Sequence, residues 1–302
     1  MVEIINKFYR FFTPCFLRNV VSIYRHRNES SGIIRRKIIR YYSKFSENEL
    51  TNEQSQVIKY LKRNPLNIFP YSFTKKYNQD KVEVYFDKKK CLQFVYLDGK
   101  RLYFKRGYSD SLLKSKFNNL CIEQDIESPH RYLSDYFFIN NGDIVADIGA
   151  AEGNFALGLV EKAKKIYLFE SDEGWIEALN ATFEPWKAKV EIINKSVSDK
   201  TDNENLQLDS FFKNKELNFI KIDTEGSELK VLNGSKVIIS NQNNLKIAVC
   251  TYHKQNDELL FSEFLTNFGF YIYKPQGYMI YIHDNEYKEP YLKRGLIRAS
   301  KM

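Results

Sequence analysis

From about residue 140 onward the chain alternates between short apolar runs of strand character and segments of helical spacing, and this leaves few folds open. Asp143 to Ile148, Lys165 to Glu170, Lys189 to Asn194, Phe219 to Ile222 and Leu245 to Thr251 read as strands. Glu152 to Lys164, Asp172 to Phe183, the segment from Glu228 toward Ile239, and Asp257 to Phe268 read as helices, with a short helical piece at Leu208 to Phe212. Units that alternate in this way make a parallel sheet covered on both faces. Phe270 to Tyr273 and Tyr278 to His283 read as two closing strands. The "KPQG" between them is too short for a crossover helix, so the final strand is expected to be antiparallel.

Ahead of this region the period changes. Ser46 to Glu49 fits a capping box, and Val57, Ile58 and Leu61 mark a helix that Pro65 ends. "VEVYF", "LQFVYL" and "RLYFK" then alternate with period two, the last pair joined through Asp98-Gly99, a strong hairpin signal. The resulting division is a basic amphipathic arm over 1–48, a helix and β-hairpin region over 49–125, the main α/β domain over 126–285, and a basic tail over 286–302.

The net charge of +8 is concentrated in the arm. Residues 1–48 hold ten Lys or Arg against three Glu, a net +7, so the body is nearly neutral. That distribution excludes a general nucleic-acid binder, whose basic face would lie on the folded domain. Pro14 and Arg18 interrupt the apolar stretch of the arm well before the roughly 20 residues a membrane span needs. The arm reads either as an amphipathic helix packed on its own domain or as a peripheral contact of residues 1–45 with an anionic membrane. Cys15, Cys91, Cys121 and Cys250 have no C-x-x-C spacing, so neither a disulfide framework nor a zinc knuckle is indicated and a cytoplasmic setting is expected.

Ligands of open parallel sheets bind at the carboxyl ends of the strands. The first such end is "VADIGAAEGNF", with Asp147, Gly149 and Gly153. It lacks the G-x-G-x-x-G of a pyrophosphate site and opens on an acid that would repel phosphate. The second strand ends in Glu170, whose carboxylate can accept both hydroxyls of a ribose. Two acids without a pyrophosphate site suit a nucleoside that carries an amine and a positive charge. S-adenosylmethionine is such a ligand, and the helix start near Glu152 can face its carboxylate.

"VADIGAAEGNFAL", "IYLFESD", "SVSD" and "IKIDTEGSELKVLNG", in this order, resemble the FkbM family of class I S-adenosylmethionine-dependent methyltransferases, over about residues 122–283. The resemblance implies a Rossmann-like sheet of seven strands with the last antiparallel. It also implies cofactor contacts by the turn that carries Asp147, Gly149, Ala150, Glu152 and Gly153, ribose binding by Glu170, and an adenine pocket near Ser198 and Asp199. Ala151 stands where the broad class often has glycine and this family often has asparagine. By the same resemblance, Asp223 ends the strand that faces the transferred methyl group.

Extended geometry would point Asp223 and Glu225 to one side, and "CTYHKQND" brings His253, with Asp257 behind it, to the same edge. Methyl transfer to an alcohol needs an aligned acceptor and a group that takes its proton. His253 is the first candidate for that base, Asp223 the second, and Glu225 completes the acidic pair. Asp223, Glu225 and His253 form an alternative set for a divalent metal, although a metal is not general in the family. Glu123, His130 and Arg131 lie close before the first strand and could wall the acceptor site.

The expected reaction is O-methylation of a sugar hydroxyl in a bacterial surface glycan or its lipid-linked precursor, in the cytoplasm or on the inner membrane face. Polyketide or other small-molecule hydroxyls are the alternative acceptors. A binding or scaffold protein with a relic cofactor site is the non-enzymatic alternative.

Overall fold

The computed structural model describes residues 31–281 and 288–301. Its centre is a seven-stranded sheet built from β4 (Ile144–Ile148), β5 (Lys165–Phe169), β6 (Val190–Ile193), β9 (Phe219–Ile222), β10 (Lys246–Cys250), β11 (Tyr271–Tyr273) and β12 (Leu296–Ser300), in the spatial order β11-β12-β10-β9-β4-β5-β6. Strands β4, β5, β6, β9 and β10 pair in parallel, and β12 lies antiparallel between β10 and β11. The run β4-β5-β6 proceeds one way from β4, and β9-β10 the other. The strand order therefore reverses between β4 and β9, where such sheets open a crevice.

Side chains along these strands alternate between two cores, as a period of two requires when both faces are covered. Val145, Ile166, Leu168 and Phe219 belong to one cluster, while Ala146, Ile148, Phe169, Ile220 and Ile222 belong to the other. All four residues of β9 are buried, including Lys221. The covering helices are α4 (Asn154–Leu159), α5 (Glu173–Phe183), α6 (Leu208–Phe211), α7 (Glu228–Asn233), α8 (Lys236–Asn241) and α9 (Asp257–Asn267). A short parallel pair, β7 (Ser196–Val197) and β8 (Asn205–Leu206), lies beyond β6 in the chain.

The preceding region holds α1 (Ser31–Tyr42), α2 (Asn52–Arg63), an antiparallel sheet of β1 (Tyr85–Asp87), β2 (Leu92–Leu97) and β3 (Lys100–Tyr103), and α3 (Asp110–Glu123). The Ser46 and Glu49 capping box exists but opens only a single tight turn over Glu47–Glu49. A second box, with Thr51 and Gln54 bonding reciprocally, starts α2. The sheet joins the main domain where the Tyr103 backbone donates to Thr182 Oγ1 at 3.0 Å.

Residues 1–30 of the expected arm lie outside the described residues. Its continuation, α1, is packed: Ile34, Ile38 and Tyr42 bury against Val57, Ile58 and Leu61 of α2, while Arg36, Lys37 and Arg40 face solvent. Among the described residues no helix is long and apolar enough to cross a membrane.

The chain's end corrects the sequence reading. Residues 278–281 form no strand, with Met279 making an isolated bridge to Lys293, and His283 lies outside the described residues. The antiparallel strand is β12, inside the supposed basic tail. Arg298 disguises it: its guanidinium is buried and donates to the carbonyls of Arg131, Tyr132 and Leu133 at 2.7–3.2 Å. Among the described residues, Leu296–Ser300 of the expected tail thus belong to the α/β sheet.

Candidate active site

The crevice starts from one glycine. Gly149 has φ +76°, and a Cβ there would lie 2.0 Å from the carbonyl oxygen of Asp223, so only glycine lets the ends of β4 and β9 close up. The Gly149 and Ala150 backbone groups donate to Phe169, at 2.9 and 3.1 Å, and Ala151 donates to Glu170 Oε2 at 2.8 Å. Ala151 adopts φ +45°, a left-handed conformation natural to glycine or asparagine. The departure at this position thus carries a backbone cost that the turn motif alone does not reveal.

A cleft of about 380 Å³ opens beside this turn. Among the expected cofactor residues, Gly149, Glu170 and Ser198 line it, joined by Trp175, Val197 and Asn205. Four carboxylates, Glu170, Asp172, Asp223 and Glu225, face two lysines, Lys195 and Lys230, on its walls. That excess of negative charge suits a cationic nucleoside and opposes a phosphorylated one. Both size and charge fit S-adenosylmethionine, and Glu170 and Ser198, expected at the ribose and the base, both line the cleft.

Glu170 is held as an acceptor. Its Oε1 takes the Asp172 N–H at 2.7 Å and its Oε2 the Ala151 N–H, so further donors can reach both oxygens only through their second lone pairs. Burial pushes its carboxyl up to about 7, against the downward pull of these two backbone donors. On the same wall, Lys105 pairs with Asp172 at 2.5 Å and lies 5.0 Å from the centre of the Trp175 ring. Lys116 of α3 approaches the same ring at 5.8 Å, and burial pushes its ammonium down to about 8.

Several expected cofactor residues serve the framework instead. Asp147 is fully buried, does not line the cleft, and faces its ladder partner Lys221 at 3.0 Å. Lys221 also donates to the Gly149 carbonyl at 2.7 Å, so this pair fixes the turn from below. Burial raises the Asp147 carboxyl above its usual range. For Lys221, burial works downward, but Asp147 and Asp223 outweigh it and raise the ammonium. Glu152 is buried and lies 3.7 Å from Lys116. Gly153 starts α4 with φ +78°, and a Cβ there would come within 2.8 Å of Leu179 and Phe183, which makes it a packing residue. Ala150 is buried, and the exposed Asp199 accepts from Ser198 Oγ at 3.1 Å without lining the cleft.

At the other end of the cleft Asp223 is the hub. Tyr132 donates to its Oδ2 at 2.9 Å and Tyr252 to its Oδ1 at 3.2 Å. His253 Nε2 lies 3.7 Å from Oδ1, and His130 Nε2 lies 4.0 Å from Oδ2. Each histidine has a carboxylate at its other nitrogen: Glu228 lies 2.9 Å from His253 Nδ1, and Glu123 lies 3.1 Å from His130 Nδ1. Burial works to raise the Asp223 carboxyl, but Lys221, His253 and His130 outweigh it and hold it below its usual range. Glu228 is likewise held down by His253 against its burial.

Two expectations change here. β9 ends at Ile222 and Glu225 turns to φ +60°, so the extended register that would align Asp223 with Glu225 does not exist. Glu225 is exposed on the cleft wall, and Glu228 takes its place beside His253. The carboxylates that accompany His253 in a potential metal set are therefore Asp223 and Glu228. His253 is itself buried behind Asp223, whose side chain keeps 16 % exposure toward the cleft. Asp257 accepts the Lys254 N–H at 2.8 Å at the start of α9. Tyr132, Tyr252 and Glu228 are the site residues that sequence reasoning missed. A signal for Glu228 existed, since it shares the buried i, i+3, i+4 face of α7 with Val231 and Leu232.

The family model described as the methyltransferase FkbM domain matches residues 114–274, just over half of the chain. None of the curated proteins matches. Among solved structures, methyltransferase FkbM from Methylobacillus flagellatus KT is similar at 19% identity over 65% of this chain and 56% of that one, with a TM-score of 0.47. The chain thus spans little more than half the length of that protein. Precorrin-6y C5,15-methyltransferase from Geobacter metallireducens GS-15 is similar at 13% identity over 54% of this chain and 82% of that one, with a TM-score of 0.38.

Proposed function

The chain belongs to the FkbM methyltransferase family, whose class uses S-adenosylmethionine, and from that premise we propose that it methylates a hydroxyl group, with a sugar of a surface glycan or its lipid-linked precursor as acceptor. The observation that carries the reading is the position of Asp223. It closes the cleft opposite the ribose acid Glu170 and is the exposed edge of an otherwise buried histidine and tyrosine cluster.

The bound cofactor supplies a methyl group on a sulfonium, already activated for in-line displacement. The chain's own residues do the rest. Glu170 and the Ser196 to Ser198 wall hold the nucleoside, and Asp223 accepts the hydrogen bond of the incoming hydroxyl and takes its proton as the new C–O bond forms. His253, fixed by Glu228, lies 3.7 Å behind and holds Asp223 in place. The roles expected from sequence are thereby exchanged: Asp223 acts as the base and His253 positions it. The sugar acceptor is supported by family resemblance.

Asp223→Asn keeps the shape and removes the charge. It should lower turnover about 10²- to 10⁴-fold, the usual worth of a general base, while affinity for S-adenosylmethionine stays within a few-fold. Labelled methyl transfer to a panel of nucleotide- and lipid-linked sugars measures the first and calorimetry the second. Undiminished turnover would remove Asp223 from the chemistry, and label entering only polyketide hydroxyls would replace the acceptor class.

A further inference from the structure

The Asp223 cluster holds more nitrogen and sulfur than proton removal needs. On one flank His130 Nε2 lies 4.0 Å from Asp223 Oδ2 and 3.4 Å from the Cys250 sulfur. The three ligand atoms lie within 4.8 Å of one another. The opposite ring nitrogen, Nδ1, sits 3.1 Å from Glu123. A carboxylate this close is the outer partner a metal-binding histidine uses once the ring turns to donate to it; here Nδ1 makes no hydrogen bond among the described residues.

Distance separates a proton from a metal at the His130 and Asp223 pair. A protonated His130 bonded to Asp223 would close to about 2.7–2.9 Å. The observed 4.0 Å exceeds any hydrogen bond, and Oδ2 takes its short contact from Tyr132 instead. Ligands sharing one tetrahedral ion, with bonds of about 2.0–2.3 Å, stand roughly 3.3–3.8 Å apart. The 3.4 Å separation, which is also that of a sulfur and nitrogen hydrogen bond, fits that spacing, and the 4.0 Å one needs a contraction of about 0.6 Å toward the separation of a nitrogen and oxygen pair.

We propose that His130 Nε2, Asp223 Oδ2 and Cys250 Sγ hold a divalent ion of zinc type, with Glu123 as the outer partner of His130. The mixed nitrogen, oxygen and sulfur donors suit zinc, whereas magnesium and calcium prefer all-oxygen sites. Binding expels the thiol proton to solvent and leaves a thiolate on the metal. The site shares Asp223 with the methyl-transfer reading, Oδ2 going to the ion while Oδ1 stays turned toward His253 and Tyr252, and ion binding is read separately from turnover.

The test uses the full chain without an added histidine tag, stripped with EDTA and titrated with Zn²⁺ by calorimetry and with Co²⁺ by absorption. One ion per chain is expected, with a thiolate-to-cobalt charge-transfer band that disappears in Cys250→Ser. His130→Ala should abolish binding, and Glu123→Gln should weaken it about 10- to 100-fold. Circular dichroism checks that each variant folds, and Glu123→Gln, which touches no ligand atom of the ion, remains informative if the other two do not fold. Absence of a stoichiometric ion in the wild-type chain would overturn the proposal. So would binding lost in His253→Ala but kept in both His130→Ala and Cys250→Ser, which would put the ion on the Glu228 flank.

Discussion

Lowering the pH should cost cofactor affinity through Glu170. Its carboxyl is pushed up to about 7 by burial, so the folded, unliganded chain holds a proton there below neutrality. A ribose binds this group by donating two hydroxyls to the carboxylate, and the proton occupies one of the acceptor positions. If only the ionised form binds, the apparent Kd grows as 1 + 10^(7 − pH). That is a factor of about 1.1 at pH 8 and about 11 at pH 6, an affinity loss of roughly tenfold or about 1.4 kcal/mol. The sign is fixed by the direction of the shift: a raised carboxyl titrates within the working range, whereas one at its ordinary value would stay ionised and leave the affinity flat. Calorimetric titration with S-adenosylmethionine at pH 6, 7 and 8 measures the effect. The Glu170→Gln variant serves as reference, because ionisation of the ligand's own amine affects both proteins alike and cancels in the ratio. The wild-type chain should lose about ten times more affinity than the variant between pH 8 and pH 6. Parallel losses in the two proteins would refute the assignment of Glu170 to the ribose.

Two stability predictions test the turn and its support. Ala151→Gly relieves the left-handed strain at φ +45° and should stabilise the chain by about 1 kcal/mol, raising Tm by about 2 °C in thermal denaturation; an unchanged or lower Tm would count against the strain. Lys221→Met leaves the buried Asp147 without its counter-charge and should destabilise by about 3–5 kcal/mol in urea titration. The double change Lys221→Met with Asp147→Leu should recover most of that loss, and equal losses in both proteins would show that the ion pair is not the cause.

Local pattern made the parallel sheet, the glycine turn and the acid that follows β5 legible, because each declares itself within a few residues. β2 coincides with its alternating "LQFVYL", and Glu170 stands at a strand end where position alone assigns its side. α3 escaped because its buried face is carried by Leu113, Lys116 and Glu123, two of which are charged, so the apolar period vanishes. Its legible trace was Ser109 at the cap, whose side chain accepts the Leu112 N–H. β12 escaped for the same reason, with Arg298 at its middle. The hub around Asp223 was largely visible: "CTYH" announced His253 and the segment before the first strand offered Glu123 and His130, but the bond from Tyr132, about 90 residues upstream, is a fact of tertiary packing. Glu225 was preferred over Glu228 because the extended spacing was carried past the strand's real end at Ile222.

The antiparallel insertion of β12 has a consequence for the order in which the enzyme becomes competent. Its partners are β10 and β11, and Arg298 on it pins the carbonyls of residues 131–133, the segment that carries Tyr132 and follows His130. The glycine turn, Glu170 and most of the cleft are made by residues 148–230. During synthesis this part of the cleft can form while the hub on Asp223 still lacks its anchor. Closing a loop from 131 to 298 is among the most non-local events in the chain, and contacts of that span form late. The glycine turn and its cleft wall can therefore form before the Asp223 hub is anchored, and the arrival of β12 sets the interval between the two.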